Sequence, residues 1–199
     1  ARCLETLGRA SDASRVYVFQ NRAGADGELV ADQRWEWAEE GVSAEIANPA
    51  LQGFPLMTES HQEMTVPLAW GEPYARSIEE VGPGFAELLR AQSIQALLVV
   101  PIFVEERWWG FIGFDDCRRA RRWSAEEVGA LRTAAALFGA AWQRHKVEQA
   151  LRESEEKYRE LVENATDLVW SIDMEGRFLS ANRAMANVLG YPAEEIVGA

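Results

Sequence analysis

Two neighbouring stretches carry the strongest structural signal in this chain: Ala96-Leu-Leu-Val-Val-Pro-Ile-Phe-Val104 and Arg107-Trp-Trp-Gly-Phe-Ile-Gly-Phe-Asp115. The first is apolar without interruption, which predicts a strand buried on both faces, because a strand with one wet face would alternate apolar and polar residues. Only Glu105 and Glu106 separate the stretches, so we expect the second to pair back as the other arm of a hairpin. The fold class is therefore α+β, with an antiparallel sheet covered on both faces.

A second hairpin is predicted near the start of the chain. Residues 15–20 are rich in β-branched and aromatic side chains, residues 21–27 form a turn cluster, and residues 29–38 have the pattern of the returning strand. Proline and glycine then break up residues 39–73, and residues 85–92 fit a short helix. An irregular stretch of that length in a compact domain usually serves a function or covers something.

A long helix is predicted to follow the sheet. Ser124-Ala-Glu-Glu127 is a capping box, in which the Ser hydroxyl and the Glu carboxylate satisfy unpaired N–H groups. No proline interrupts the chain from there to about residue 164. The first half of the helix carries an apolar face that we expect to pack on the sheet. This face consists of Val128, Leu131, Ala135, Phe138 and Trp142.

The second half of the helix carries another apolar ladder, offset from the first by the five residues from Trp142 to Val147. Such an offset turns the apolar stripe to another side of the helix, as expected where a domain helix becomes a coiled coil. A single solvated helix is the alternative, because Ser154 is a weak seam residue. The predicted dimer seam consists of Val147, Leu151, Ser154, Tyr158 and Leu161.

Composition and charge exclude several classes of protein. The chain has 199 residues, 48% of them hydrophobic, and a net charge of −12 from 20 Lys and Arg against 32 Asp and Glu. That acidity argues against nucleic acid as the main partner. No uncharged apolar stretch approaches the roughly 20 residues of a membrane span. The two distant cysteines, Cys3 and Cys117, are expected to be free thiols in the cytoplasm.

The end of the chain resembles the start of a PAS sensory domain. The resemblance rests on a helical run at 154–162, the predicted strand Asp167-Leu-Val-Trp-Ser-Ile-Asp173, a second strand at 177–181, and an Asn182-initiated helix that leads to Gly190-Tyr191. Residues 164–199 supply only the N-terminal half of such a domain. The resemblance therefore identifies no PAS cofactor.

Residues 1–145 resemble a GAF domain of the kind found in bacterial sensor histidine kinases. The matching motifs include Gln33-Arg-Trp-Glu-Trp37, Leu97-Leu-Val-Val-Pro-Ile102 and Trp108-Trp-Gly-Phe-Ile-Gly-Phe-Asp-Asp116. The resemblance implies a small-ligand or light sensor with a pocket between the sheet and residues 39–93. Cyclic-nucleotide motifs are not reproduced, and neither cysteine stands beside a histidine as in bilin-carrying GAF domains. The cofactor, if any, stays unidentified.

These resemblances imply a GAF sensor at 1–145, a coiled-coil signalling helix at 146–163 and half a PAS domain at 164–199. That order is typical of the input side of a sensor histidine kinase in a two-component phosphorelay. It implies a cytoplasmic homodimer, non-catalytic in this segment, with an output domain further along the chain. Input to a diguanylate cyclase or phosphodiesterase is one alternative. A ligand-free GAF domain that only dimerises and spaces the modules is another.

The sequence contains no recognisable catalytic or metal-binding motif. Asp115 and Asp116 are strand neighbours that point to opposite faces, which favours a turn role over a catalytic pair. Arg118-Arg-Ala-Arg-Arg122 is interpreted as a loop paired with nearby Glu rather than as a phosphate site. His61 lacks the surroundings of a phospho-acceptor box and is interpreted as a loop histidine, with a cofactor ligand as the alternative.

The candidate ligand pocket is drawn from the aromatic residues. Core packing is the default for a stiff apolar ring, but the same surface suits the wall of a site for a planar ligand. Trp35 and Trp37 alternate on one strand and share a face. The candidate wall consists of Trp35, Trp37, Trp70 and Phe114.

Overall fold

The computed structural model describes residues 2–198, and its contacts divide the chain into two units that meet between Gln143 and Arg144. The strands are β1 (Arg15–Ala23), β2 (Leu29–Ala38), β3 (Phe54–Pro55), β4 (Tyr74–Ser77), β5 (Ala96–Val104), β6 (Arg107–Asp116), β7 (Trp170–Ile172) and β8 (Phe178–Ala181). The helices are α1 (Arg2–Ala10), α2 (Gln62–Ala69), α3 (Pro83–Ala91), α4 (Ala125–Glu163), α5 (Arg183–Leu189) and α6 (Ala193–Ile196), with a 3-10 turn at Pro49–Leu51.

The first unit is built on a six-stranded antiparallel sheet in the order β3-β2-β1-β6-β5-β4. Strand β5 is buried from Ala96 to Ile102, as its continuous apolar run predicts. Alternate residues of β5 enter two separate cores, with Leu97 in one and Leu98 in the other. The predicted α+β class and the sheet covered on both faces are confirmed.

The hairpin between β5 and β6 turns through two non-glycine residues. Glu105 and Glu106 have φ angles of 50° and 61°, the left-handed values of a type I′ turn. Such a turn matches the twist of the strands and pairs Val104 with Arg107. This short connection fixes the register of β6 against β5.

Residues 39–73, expected from the sequence to be irregular, contain more structure than predicted. Strand β3 pairs with β2, and helix α2 contains Pro67. Proline lacks the N–H that residue 67 would otherwise donate to the carbonyl of Glu63, so α2 forms with one hydrogen bond fewer. The predicted short helix at 85–92 is observed as α3, which begins two residues earlier.

Helix α4 is a single helix of 39 residues that begins at the predicted capping box. The backbone N–H of Ser124 donates to the carboxylate of Glu127 at 2.7 Å, and the N–H of Glu127 donates to the Ser124 hydroxyl at 3.2 Å. Leu131 and Ala135 are buried in the core on its side of the sheet. A Cβ atom on Gly139 would collide with the backbone of β5, so glycine permits the close approach.

The second unit carries the β7–β8 hairpin and helices α5 and α6. Asn182 organises it, because its side-chain oxygen accepts from the N–H groups of Val169 and Met185 while its nitrogen donates to the carbonyls of Val162 and Asp167. Helix α5 ends at Gly190 as predicted, whereas the strand expected at 167–173 is observed only as β7. Over residues 2–198, no helix combines the length and apolarity of a membrane span.

Candidate functional site

A small cavity of about 40 Å³ lies between the sheet and the segment that precedes β5. One part of its wall is apolar and the other part is polar and charged. The apolar wall consists of Phe19, Leu51, Phe54, Met64, Phe85, Leu88, Leu89, Ile94, Leu97 and Phe111. The polar wall consists of Arg15, Tyr17, Gln33, Glu36, Glu45 and Gln92. The cavity is where the family resemblance implied a pocket, beneath residues 39–93.

A β-bulge in β2 determines which side chains face the cavity. Val18 pairs with Trp35 and Phe19 pairs with Gln33, so Arg34 is an extra residue that has no partner in this register. An extra residue reverses the alternation of faces along a strand. Beyond the bulge it is therefore Glu36 that faces the cavity, and Trp35 turns to the other side of the sheet.

Arg15 is the central polar residue of the site and is 1% exposed. It opens β1 opposite Asp115 of β6, and its Nε and one terminal nitrogen donate to Oδ2 of that carboxylate at 3.0 and 2.8 Å. The other terminal nitrogen donates to the carbonyl of Ser43 at 3.3 Å. Burial alone would lower the pKa of Arg15, but the attraction of Asp115 outweighs it and raises the pKa, so the guanidinium is charged.

Tyr17 completes the contacts of Asp115. Its hydroxyl donates to Oδ1 at 3.1 Å, and its ring lies across Gly113, where any Cβ atom would collide with it. Burial raises the pKa of the Tyr17 phenol well above its usual value, and the charge of Asp115 adds to the effect. Tyr17 is therefore a hydrogen-bond donor at every physiological pH.

Two further carboxylates approach Arg15. Glu36 and Glu45 each place an oxygen 3.9 Å from its guanidinium nitrogens. The Glu36 carboxylate accepts from the backbone N–H groups of Glu45 and Ile46 at 2.8–3.0 Å, which anchors the loop after β2 to the sheet. Three carboxylates thus surround one guanidinium, and the polar wall has a formal excess of negative charge.

Two glutamines border the charged group. Gln92, just after α3, accepts from Arg15 at 3.4 Å. Gln33 is 4% exposed, and no donor among residues 2–198 reaches its side-chain oxygen. A buried polar atom without a partner is costly in a folded protein and calls for an explanation.

The four side chains expected to form the pocket wall do not line this cavity. Phe114 is fully buried in the core on the opposite face of the sheet, and Trp35 and Trp37 pack against that same core. Trp70 ends α2 and is 83% exposed. The bulge at Arg34 accounts for the two β2 tryptophans. A binding role for these four residues stays a prediction.

Trp35 and Trp109 instead support the docking of α4. The ring of Trp35 lies 6.5 Å from Trp109, 6.1 Å from Phe138 and 5.6 Å from Trp142 between centroids. Trp109 also contacts Phe138 and Trp142. This aromatic cluster joins β2 and β6 to the helix before it leaves the first unit.

The other residues considered from the sequence have structural contacts. His61 precedes α2, and its Nδ1 lies 2.7 Å from the carbonyl of Pro55 and 2.8 Å from the Thr58 hydroxyl. The arginines of residues 118–122 pair with carboxylates, as in the bond of 2.6 Å from Arg119 to Asp12. Within residues 2–198, no group of three or more His, Cys, Asp or Glu is placed to hold a metal ion.

The predicted seam residues of α4 are solvent-exposed in the single chain. They are Val147, Leu151, Ser154, Tyr158 and Leu161. A helix face with four large apolar side chains in water is typical of a surface that has a partner. Dimerisation through this face stays a prediction.

Family models match both parts of the chain. The GAF domain model matches residues 1–142, and the PAS fold model matches residues 156–199. The chain is 41% identical over 143 residues to the methanogenesis regulatory histidine kinase FilI of Methanothrix harundinacea, which covers 72% of this chain and 16% of that protein. It is also 24% identical over 210 residues to an uncharacterized protein of Azorhizobium caulinodans, covering 98% of this chain and 27% of the other. The chain thus spans only a minor part of both relatives.

Solved structures share the fold of the first unit. GAF3 from Slr1393 of Synechocystis, in its photoproduct state, aligns with a TM-score of 0.61 at 21% identity, over 75% of this chain and 94% of that one. A domain assigned to a two-component sensor histidine kinase of Sinorhizobium meliloti aligns with a TM-score of 0.57 at 20% identity, over 76% and 93%. At these identities the likeness extends to the fold alone.

Proposed function

This chain belongs to the GAF domain family, and we propose that it is the sensory input segment of a cytoplasmic sensor histidine kinase. In this proposal the GAF domain binds a small ligand in the cavity beside Arg15. The response passes along α4 to the PAS segment and then to a kinase output domain. The proposal draws on the 41% identity to a regulatory histidine kinase over the same region.

The single observation that carries the proposal is the continuity of α4. The helix packs on the sensor sheet through Leu131 and Ala135 and continues without a break to Glu163, inside the PAS match. At 1.5 Å per residue, 39 residues extend about 58 Å. A helix of that length exceeds what one small domain needs for its own packing.

The seam residues of α4 would pair with those of a second copy in a parallel coiled coil. Ligand binding would favour one packing of the sensor domain, and that packing would favour one rotation of the helix pair. The direction in which the apolar stripe turns between Trp142 and Val147 is then part of the signal. Kinase output then depends on the rotational offset between the two apolar stripes of α4 and not only on the presence of both domains.

The phase dependence can be tested by insertions between Trp142 and Val147 in the full-length protein. One added residue rotates the following helix by about 100° and is expected to change autophosphorylation strongly. Seven added residues restore the heptad phase and are expected to preserve it. Equal autophosphorylation in both variants, with the sensor domain folded in each, would count against the proposal.

The small volume of the cavity favours a second candidate function, in which the GAF domain binds nothing and only dimerises and spaces the modules. Native mass spectrometry of the protein purified from its own host separates the two candidates. A stoichiometric small molecule that is lost on unfolding supports sensing. A dimer with no added mass, together with kinase output unchanged by cell extract, supports the spacer.

A further inference from the structure

We propose that the ligand of this cavity is a small protonated amine, held by the carboxylates and Gln33 at its polar wall and by aromatic rings at its apolar wall. The inference rests on the proposed sensory function and adds to it the chemical class of the ligand. Three independent features of the cavity support it: its charge, its unpartnered acceptor and its aromatic lining.

The charge of the polar wall selects a cation. Arg15 and Asp115 form a buried ion pair, and Glu36 and Glu45 add two further carboxylates at the cavity wall. Asp115 already engages Arg15 through two hydrogen bonds, so the guanidinium is not available to an incoming anion. An anionic ligand would meet a net repulsive wall in a medium of low dielectric constant, while an ammonium group would be attracted.

Gln33 supplies the acceptor that such a ligand needs. Its side-chain oxygen is buried at the cavity without a protein donor. An ammonium group carries three N–H donors and no acceptor, so it satisfies both this oxygen and a carboxylate. Glu45 is the carboxylate best placed to respond, because its side chain is 16% exposed and lies on a loop.

The opposite wall suits both parts of an amine, because its apolar side chains can pack against the alkyl chain and its ring faces attract the ammonium group. Four phenylalanines line it, and Phe19 stacks on Phe111 with ring centroids 4.9 Å apart. Aromatic faces attract ammonium groups within about 6 Å of the ring centroid, most strongly where water is excluded. A carboxylate would gain nothing from these rings.

The volume limits the ligand to a few non-hydrogen atoms. A single water needs roughly 10–15 Å³ by the same measure, so about 40 Å³ holds the equivalent of about three waters. Short alkylamines come close to this limit. Nucleotides and tetrapyrroles do not.

Three probes of nearly equal size test the ligand class: propylamine, propan-1-ol and propionate. Binding to the 199-residue chain is measured by isothermal titration calorimetry at pH 7, where the amine is protonated. We expect propylamine to bind at least about tenfold more tightly than the alcohol, because charge-assisted hydrogen bonds are about twice as strong as neutral ones. Propionate is expected to show no binding.

Two variants locate the binding site. Glu45→Gln keeps an oxygen for its bond with Asn48 but removes the charge, and Gln33→Leu removes the unpartnered acceptor. Each is expected to weaken propylamine binding about tenfold. Glu72→Gln is the matched control, because it changes the net charge equally at an exposed surface pair with Arg132.

Tighter binding of propionate or propan-1-ol, no binding of any probe, or equal losses in Glu45→Gln and Glu72→Gln would overturn the amine inference. None of these results would change the outcome of the insertion experiment, which tests the sensory function through kinase output. Conversely, the protein could bind the amine at the cavity while its kinase output responds neither to the amine nor to the insertions in α4. That result would support the ligand class and contradict the sensory function. The two proposals therefore fail separately.

Discussion

Arg15 and Asp115 are one hundred residues apart in sequence and directly opposite in the sheet, where the guanidinium donates two hydrogen bonds of 2.8 and 3.0 Å to a single carboxylate oxygen. Both side chains are buried. A buried ion pair adds little to stability relative to a well-packed apolar pair, but removal of one partner is costly because the other charge is left uncompensated. The pair therefore makes the polar wall of the cavity sensitive to single substitutions.

Arg15→Met should lower the free energy of unfolding by about 3–5 kcal/mol. The substitution leaves Asp115, Glu36 and Glu45 close together without their common cation. Urea unfolding followed by tryptophan fluorescence measures the loss in the sensor unit, because seven of the eight tryptophans lie in residues 1–143.

Arg132→Met is the matched control for this prediction. Arg132 also pairs with a carboxylate, that of Glu72 at 3.7 Å, but both side chains are exposed. Such pairs contribute about 0–1 kcal/mol. Equal destabilisation by the two substitutions would contradict the burial argument.

Gly113→Ala should destabilise the protein by about 1–3 kcal/mol, because the added methyl group occupies the space of the Tyr17 ring. Displacement of that ring also breaks the bond from its hydroxyl to Asp115. Gly129→Ala provides the contrast: Gly129 lies in helix α4 with no atom near the position of a Cβ. Here alanine should stabilise by about 0.5–1 kcal/mol. Thermal unfolding of the two variants measures both signs, and a common sign would contradict the close-packing argument.

Local patterns in the sequence were sufficient for the secondary structure of the sheet. The apolar run of β5 predicted that strand with its observed bounds, and the turn cluster at residues 21–27 predicted β2 as the returning strand of a hairpin. The capping box at Ser124 predicted the start of α4, since the bonds are made within one turn. The proline in α2 misled the prediction for residues 62–69, because the helix forms despite the hydrogen bond that Pro67 cannot donate.

The site was harder to predict because it depends on pairing between distant strands. The bulge at Arg34 exists only relative to β1, and it places Glu36 rather than Trp35 at the cavity. An arginine that opens a strand is normally expected in water. Its burial follows from Asp115 lying opposite, and the one available signal was that two acidic residues, Asp115 and Asp116, follow the apolar run of β6.

Asp32 gives a prediction for acidic pH. Its carboxylate accepts bonds from Arg22 at 2.7 and 3.1 Å and from the N–H of Gly53 at 2.7 Å, and these donors lower the pKa of Asp32. A lowered pKa in the folded protein means stability that is fully present above the unfolded pKa and is lost as pH falls through the folded one. Asp32→Asn should therefore cost about 1 kcal/mol at pH 7 and less below about pH 4.

Urea unfolding of wild type and Asp32→Asn from pH 7 down to pH 3.5 checks this difference. Asp26→Asn, in the exposed turn of the same hairpin, should stay within about 0.5 kcal/mol of wild type at pH 7. A difference between wild type and Asp32→Asn that grows on acidification would contradict the assignment of the stabilising contact to the carboxylate.

Cys117 should react slowly with alkylating agents even though its side chain is only half-buried. Burial, with a further contribution from the charge of Asp115, raises the pKa of its thiol to about 11. The thiolate is the reactive form of cysteine. A thiol whose pKa is about two above its ordinary value has about 100-fold less thiolate at pH 8. In a Cys3→Ser variant, iodoacetamide labelling at pH 8 should be about 100-fold slower in the folded protein than in urea. Rates within a few-fold of each other would mean that the environment of Asp115 is more open than the Arg15 pair and the Tyr17 ring imply.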